Sequence, residues 1–377
     1  MKKLIKTFFA SDIAVGICLM VSTAAALALC NSPQFPIYEE FFATEFLFGM
    51  NLRHFINDFL MAIFFLLVGL ELKKEILLGE LSEKKKIALP LIAACGGVIA
   101  PIIIYYFFNH NSAENIAGFA IPCATDIAFV YGAIALFGKR ISPQIRIFVV
   151  ALAIIDDLIA ILIIAFFYSH NIDFTYIWLG LMLLCALALM NYFSLREIYF
   201  YLIAGFFLWL VVLRSGIHAS LAGALLAAFI PLKINSANPL ETLAKKIAPM
   251  VNFLILPLFA FANAGVHIEK FSVDFFTSSI VLGVALGLFY GKQIGVMLFS
   301  FIAVKLKISV LPTGANWREF YLASILTGIG FTMSLFIASL SFPFHPVLFD
   351  EAKVGILLGS LAAAIFAGLV IFIFRKK

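Results

Sequence analysis

The sequence predicts an all-α integral membrane protein of twelve transmembrane helices, with inverted-topology repeats and two interrupted helices crossing at the midplane. Three observations predict it. The 377 residues are 64% hydrophobic and 12% charged, with a mean hydropathy of +1.10, far above the 45–50% apolar usage of an average soluble chain. Apolar runs long enough to cross a bilayer, which takes about 20 helical residues, recur along the whole chain. Two of those runs carry helix-breaking residues at their centres.

In chain order the runs lie near 13–30, 58–76, 87–108, 116–137, 145–168, 175–193, 198–213, 216–232, 249–267, 280–304, 319–341 and 353–374. An even number of spans puts both termini on one side. Basic residues then decide which side, because cytoplasmic loops are enriched in Lys and Arg. With the N-terminus inside, 21 of the 26 basic residues fall in inside segments, from Lys2, Lys3 and Lys6 to Arg375, Lys376 and Lys377. Arg53, Arg214, Lys270 and Lys353 fall outside, and Lys292 lies within a span. Met1-Lys-Lys-Leu-Ile-Lys-Thr7 carries no cleavage site, so the first apolar run is expected to stay as a helix. Cys18, Cys30, Cys95, Cys123 and Cys185 show no metal or redox spacing and read as small apolar residues. The net charge of +5 sits beside membrane spans and is no sign of nucleic acid. The outer segment 31–57 is longer than a connection needs. It holds Pro33, Pro36 and the pair Glu39-Glu40, and reads as a surface-lying loop or an oligomer contact.

Three acids, Asp126, Asp156 and Asp157, and one base, Lys292, lie deep in their runs. A charge at the bilayer centre costs at least about 2.5–3.5 kcal/mol, so such residues mark functional sites. A structural ion pair would account for one acid and one lysine. It does not account for three acids against one base, because the excess negative charge needs a cation or protons. That requirement describes an exchange site. Adjacent helical residues point about 100° apart, so Asp156 and Asp157 cannot face one partner together.

The first interrupted run is Ala120-Ile-Pro-Cys-Ala-Thr-Asp-Ile-Ala-Phe129, where Pro122 removes an amide donor. Thr125 or Asp126 can cap a second half-helix there. The second is Thr327-Gly-Ile-Gly-Phe-Thr-Met-Ser334, with Gly328 and Gly330 at midspan. Each is the middle member of a trio, within 87–168 and 280–374, and the two trios start on opposite sides. They are thus candidates for an inverted repeat, the arrangement that places a transporter's binding site at the midplane. Asp126 would compensate half-helix N-termini. Lys292 would either compensate the C-terminal ends or pair with Asp156.

Ala124-Thr-Asp-Ile-Ala-Phe129, Ala151-Leu-Ala-Ile-Ile-Asp-Asp-Leu158, Leu256-Pro-Leu-Phe-Ala-Phe-Ala-Asn-Ala-Gly265, Gly291-Lys292 and Gly328-Ile-Gly-Phe-Thr-Met-Ser-Leu-Phe-Ile-Ala-Ser339 together resemble the NhaA sodium/proton antiporters of bacterial inner membranes. Interrupted, inverted helices are an arrangement this family itself exemplifies. The resemblance covers nearly the whole chain, read as one transporter domain over 1–377. It implies electrogenic exchange of cytoplasmic Na+ or Li+ for external protons, serving pH and sodium homeostasis, with no cofactor and no enzymatic activity. It implies that Asp157 is the main cation and proton ligand, that Asp156 is the second carboxylate and pairs with Lys292 in at least one state, and that Asp126 and Thr125 lie by the crossing. It also implies a homodimer with a hairpin in 31–57, and pH regulation at a cytoplasmic funnel.

The residues matching that funnel are Glu71, Lys74 and Glu75, of which Glu71 and Glu75 are an i,i+4 pair; from the residues alone they read equally as a solvated interfacial turn. His218, in Ser215-Gly-Ile-His-Ala-Ser-Leu-Ala-Gly223, matches a family histidine, although a lone histidine in a span is more often structural. One departure is in Glu241-Thr-Leu-Ala-Lys-Lys-Ile-Ala-Pro249, where lysines replace part of the family's acid and histidine cluster. Three rival functions fit less of the sequence. An intramembrane aspartyl protease leaves Lys292 unexplained. A passive cation channel does not need paired broken helices. A sodium-coupled transporter of an organic anion is separated by substrate competition.

Overall fold

The computed structural model describes residues 12–79, 84–137, 141–169, 171–234, 237–267, 273–312 and 314–374. Among the described residues nine helices are long and apolar enough to cross a membrane, or ten if a pair bent by 45° counts as one span. The chain divides into two compact units, one of residues 1–35, 80–160 and 263–377, the other of 36–79 and 161–262.

The first unit carries α1 (Asp12–Cys30), α4 (Lys84–Asn109), α5 (Ala113–Ile116), α6 (Ile127–Phe137), the first part of α7 (Pro143–Phe167), α12 (Ser279–Lys305), α13 (Trp317–Leu326), α14 (Phe331–Ser341) and α15 (Pro346–Phe374). Its core includes Leu89, Val130, Phe148, Leu152, Val296 and Phe320, all buried. Helices α4 and α12 pack at backbone contact. A Cβ on Gly96 would strike the Gly295 carbonyl and one on Gly295 would strike that of Gly96, so only glycine lets them meet. This contact matters to the site because Gly295 lies three residues beyond Lys292.

The second unit carries α2 (Phe35–Ala43, reached from the first unit's edge), α3 (Leu52–Leu78), α8 (Phe174–Tyr192), α9 (Ile198–Arg214), α10 (Leu221–Phe229) and α11 (Pro239–Asn263). Its core gathers Leu66, Leu70, Tyr201, Leu208, Trp209 and Ile230. Helix α8 buries only Gly180 and Leu187 and exposes Trp178, Met182 and Leu189, the pattern of a helix solvated by lipid. In the outer segment, strands β1 (Glu45–Leu47) and β2 (Met50–Asn51) form an antiparallel hairpin that turns at Phe48 and Gly49. The Arg53 guanidinium donates to both carboxylate oxygens of Glu39, at 3.0 and 3.3 Å, and ties the hairpin's base to α2.

Several boundaries differ from the sequence reading. The run at 353–374 starts earlier, at Pro346, because proline suits the first turn of a helix and because Lys353 pairs with Asp350 at 2.9 Å and with the Gly265 carbonyl at 3.0 Å. Charges that mark a loop in the sequence are thus neutralised within the helix. The run at 249–267 likewise starts at Pro239. The run at 216–232 shortens to the nine residues of α10, since Gly216 adopts a positive φ of 83° and turns the chain after α9. His218 therefore lies in the non-helical stretch between α9 and α10.

Candidate functional site

The two interruptions of the first unit meet. Between α5 and α6 the chain makes a 3-10 turn at Ile121–Cys123 and then runs without helix through Asp126. Between α13 and α14 it breaks at Thr327–Gly330. The Asp126 amide donates to the Ile329 carbonyl at 2.7 Å. The Ser334 hydroxyl donates to the Ile121 carbonyl at 2.8 Å, and the Thr125 hydroxyl lies 2.9 Å from the Thr327 carbonyl. Backbone groups released by each break are therefore bonded by the other, which is what non-helical backbone at membrane depth requires.

Asp126 caps both half-helices. Its Oδ1 accepts from the Phe129 amide at 3.1 Å, three residues into α6. Its Oδ2 accepts from the Thr332 amide at 2.9 Å, in the first turn of α14, and also from the Thr332 hydroxyl. Each helix N-terminus carries roughly half a positive charge, so one carboxylate balances two ends. The Ser360 hydroxyl oxygen, on α15, accepts from the Gly330 and Phe331 amides at 3.3 Å each and satisfies further donors of the same turn.

Asp156, Asp157 and Lys292 lie beside this crossing on α7 and α12. Lys292 and Asp157 are fully buried, and Asp126 and Asp156 are 1% and 2% exposed. The Lys292 ammonium donates to Asp156 Oδ2 at 2.7 Å. Of the two roles the sequence leaves open for Lys292, this geometry shows the pairing. Among the described residues Asp156 Oδ1 has no hydrogen-bond partner, although it is buried where an unmet acceptor costs about 1–3 kcal/mol. Asp157 follows on the next position of α7, turned by about 100°.

Thr125 links the two parts of the site. Its hydroxyl is 2.8 Å from Asp156 Oδ2 and 2.9 Å from the Thr327 carbonyl. A hydroxyl has one proton, so it serves the carboxylate or the broken helix, one at a time. Thr125→Val keeps the shape and removes the donor. It is expected to cost about 1–3 kcal/mol of stability, measured by thermal unfolding of the purified protein in detergent.

The other residues singled out by sequence belong to the second unit. Glu71, Lys74 and Glu75 are on α3. The Lys74 ammonium lies 3.2 Å from Glu241 Oε1, which Lys245 approaches to the same distance. Lys73 donates to the Ala228 and Ile230 carbonyls at 2.6 Å each. The segment where the sequence departs from the NhaA pattern thus supplies Glu241 and Lys245 to a small ionic cluster on α3 and α11. His218 is half-buried in the stretch between α9 and α10. Sequence reasoning missed Thr332 and Ser360. Thr332 stands inside a motif already noted for its glycines, and only the meeting of the breaks gives it a partner. Ser360 has no local signal.

Chemically, the first unit offers three buried carboxylates against one ammonium, with threonine hydroxyls and freed carbonyls beside them. Oxygen ligands of this kind suit a hard cation, and the same carboxylates accept protons. Among the described residues no group of three or more His, Cys, Asp or Glu is placed to hold a resident metal ion.

Comparison with known proteins finds relatives over nearly the whole chain. The family model described as Na+/H+ antiporter 1 matches residues 6–371. Proteins named Na(+)/H(+) antiporter NhaA from Aliivibrio fischeri strain MJ11 and from Vibrio cholerae strain N16961 are each 46% identical over 368 residues, which is 97% of this chain and 96% of the relative. One of the same name from Vibrio vulnificus strain YJ016 is 44% identical over 380 residues, 100% of this chain and 97% of the relative.

Proposed function

Because the chain belongs to the Na+/H+ antiporter 1 family, as its match over nearly the whole length shows, we propose that the site around Asp156 and Asp157 is where it exchanges Na+ for protons. It is a multi-pass membrane transporter and not an enzyme. The observation that carries the site assignment is the cluster of three buried carboxylates around one buried lysine at the meeting of two broken helices.

In this reading Asp157 is the principal ligand for Na+, Li+ or a proton. Asp156 is the second carboxylate and answers to Lys292. Asp126 and Thr125 hold the crossing together. Cation and protons compete for the same oxygens, so loading one releases the other, and alternating access exposes the loaded site to each side in turn. If two sites lose protons for each Na+ bound, each cycle moves net charge; transport is then electrogenic, and the proton gradient drives Na+ out of the cytoplasm. No cofactor is needed. Twelve spans follow if α9 and α10 are counted as short ones beside the ten, with inverted repeats over about 87–168 and 280–374, both units forming one transporter domain over 1–377. The distribution of basic residues supports cytoplasmic termini, and likeness to bacterial Na+/H+ antiporters supports residence in a bacterial inner membrane. The exposed Phe46, Leu47 and Phe48 of the hairpin support a homodimer contact there. The cluster of Lys74 with Glu241 and Lys245 supports a pH-responsive role for Glu71, Lys74 and Glu75, and His218 is the further candidate.

The sign of the pH effect follows from competition. Below the titration of the site aspartates, protons occupy the oxygens that Na+ needs. The apparent KM for Na+ is therefore expected to rise as pH falls, by up to about tenfold per unit for each proton displaced. Dissipation of a pH gradient in everted vesicles by Na+, Li+ and K+, recorded across pH, measures this. A KM independent of pH throughout would contradict competition for shared carboxylates. An aspartyl protease or a channel finds no support in the comparisons.

A further inference from the structure

Lys292 is placed on Asp156 by the turn of helix that precedes it. In α12 the residues Gly287–Gly291 form a π turn, and the Lys292 amide bonds the Gly287 carbonyl five residues back. A π turn adds one residue to a helical turn. Closing it to a regular α-helix would rotate everything on one side by about 100° relative to the other, and the 2.7 Å contact of Lys292 with Asp156 would be lost. Something must hold the wide turn.

The next residue does so. The Gln293 side chain is 6% exposed. Its amide nitrogen donates to the Phe289 carbonyl within the π turn at 2.7 Å. Its amide oxygen accepts from the Tyr321 hydroxyl at 3.0 Å. Tyr321 sits on α13, the half-helix that ends at Thr327, whose carbonyl faces Thr125. Both side chains line an open cavity of about 450 Å³ shared with Phe289, Tyr290, Met297 and Phe366. Hydrogen bonds at both ends of the side-chain amide fix the Gln293 rotamer.

We infer that Gln293 and Tyr321 are positioning residues that lock the π turn of α12 and thereby hold the Lys292 ammonium on Asp156, tying the lysine-bearing helix to the broken span. The ammonium is a built-in cation competing with Na+ for the Asp156 oxygens. Loosening the brace weakens that competitor. The inference rests on the assignment of Asp156 to the cation site, and it adds the device that sets the strength of the lysine's hold.

The test uses Tyr321→Phe, which removes one hydroxyl and keeps the ring. In everted vesicles the apparent KM for Na+ is expected to fall about threefold with Vmax within about twofold, since one neutral hydrogen bond corresponds to a few-fold change in an equilibrium. Tyr290→Phe, a half-exposed ring in the same cavity, is expected to leave KM unchanged. A second measurement does not depend on transport. Thermal unfolding of Tyr321→Phe is compared in the wild-type protein and in Asp156→Leu/Lys292→Met, where the ion pair is gone. A brace acting through Lys292 costs less than half as much stability in the pair-free protein. A KM that stays or rises, an equal fall with Tyr290→Phe, or the same stability loss in both backgrounds would overturn the inference. Coupling in the stability cycle alongside exchange that survives Asp157→Asn would fault the cation-site assignment and leave the brace standing.

Discussion

Asp157→Asn is expected to abolish Na+/H+ exchange, with no Na+-dependent dissipation of a pH gradient above vesicles lacking the protein. The amide keeps the size of a residue that is fully buried and removes both the charge that binds a cation and the oxygen that takes a proton. Asp156→Asn leaves Asp157 in place and is expected to weaken exchange without eliminating it, because its charge is already shared with Lys292 at 2.7 Å. Proteoliposomes loaded with either variant and given a Na+ gradient distinguish the two. Undiminished electrogenic exchange by Asp157→Asn would falsify the ligand assignment.

Lys292→Met is expected to destabilise the protein by about 3–5 kcal/mol, because removing one partner of a buried pair strands the other. Asp156→Leu/Lys292→Met is expected to regain most of that loss, since replacing a whole buried pair by apolar residues is often neutral or better. Thermal unfolding in detergent reads both. If the single variant unfolds at the wild-type temperature, the pair is not held as the geometry describes. The double variant is expected to be folded with weakened exchange, which separates what the pair does for the fold from what it does for transport.

The membrane class and most of the spans are legible in the sequence because a bilayer imposes a length and a polarity that local composition reports directly. The breaks are legible too. Pro122 and the pair Gly328 and Gly330 mark them, and α6 and α14 begin at Ile127 and Phe331, just beyond those residues. Depth alone brings Asp126, Asp156, Asp157 and Lys292 to one level. What the sequence does not carry is which of them touch. The sequence separation of 136 between Asp156 and Lys292 is bridged by helix packing, including the Gly96–Gly295 contact. The double cap made by Asp126 exists only because two breaks coincide. Boundaries fail where polar residues are satisfied inside a helix. Lys353 and Asp350 pair within α15 and hide its first turns, and the turn at Gly216 leaves His218 outside the helix expected for it. Gln293 and Tyr321 show no motif at all, and their role emerges only from the π turn that precedes Lys292.

That one set of carboxylates binds either a cation or protons is tested most directly by proton release on cation binding. Purified protein in weakly buffered detergent solution is given Na+ or Li+, and the pH is followed. The expected result is saturable acidification by the wild-type protein that disappears in Asp157→Asn. Saturable Na+ binding with no proton released, or release that persists undiminished in Asp157→Asn, would contradict it.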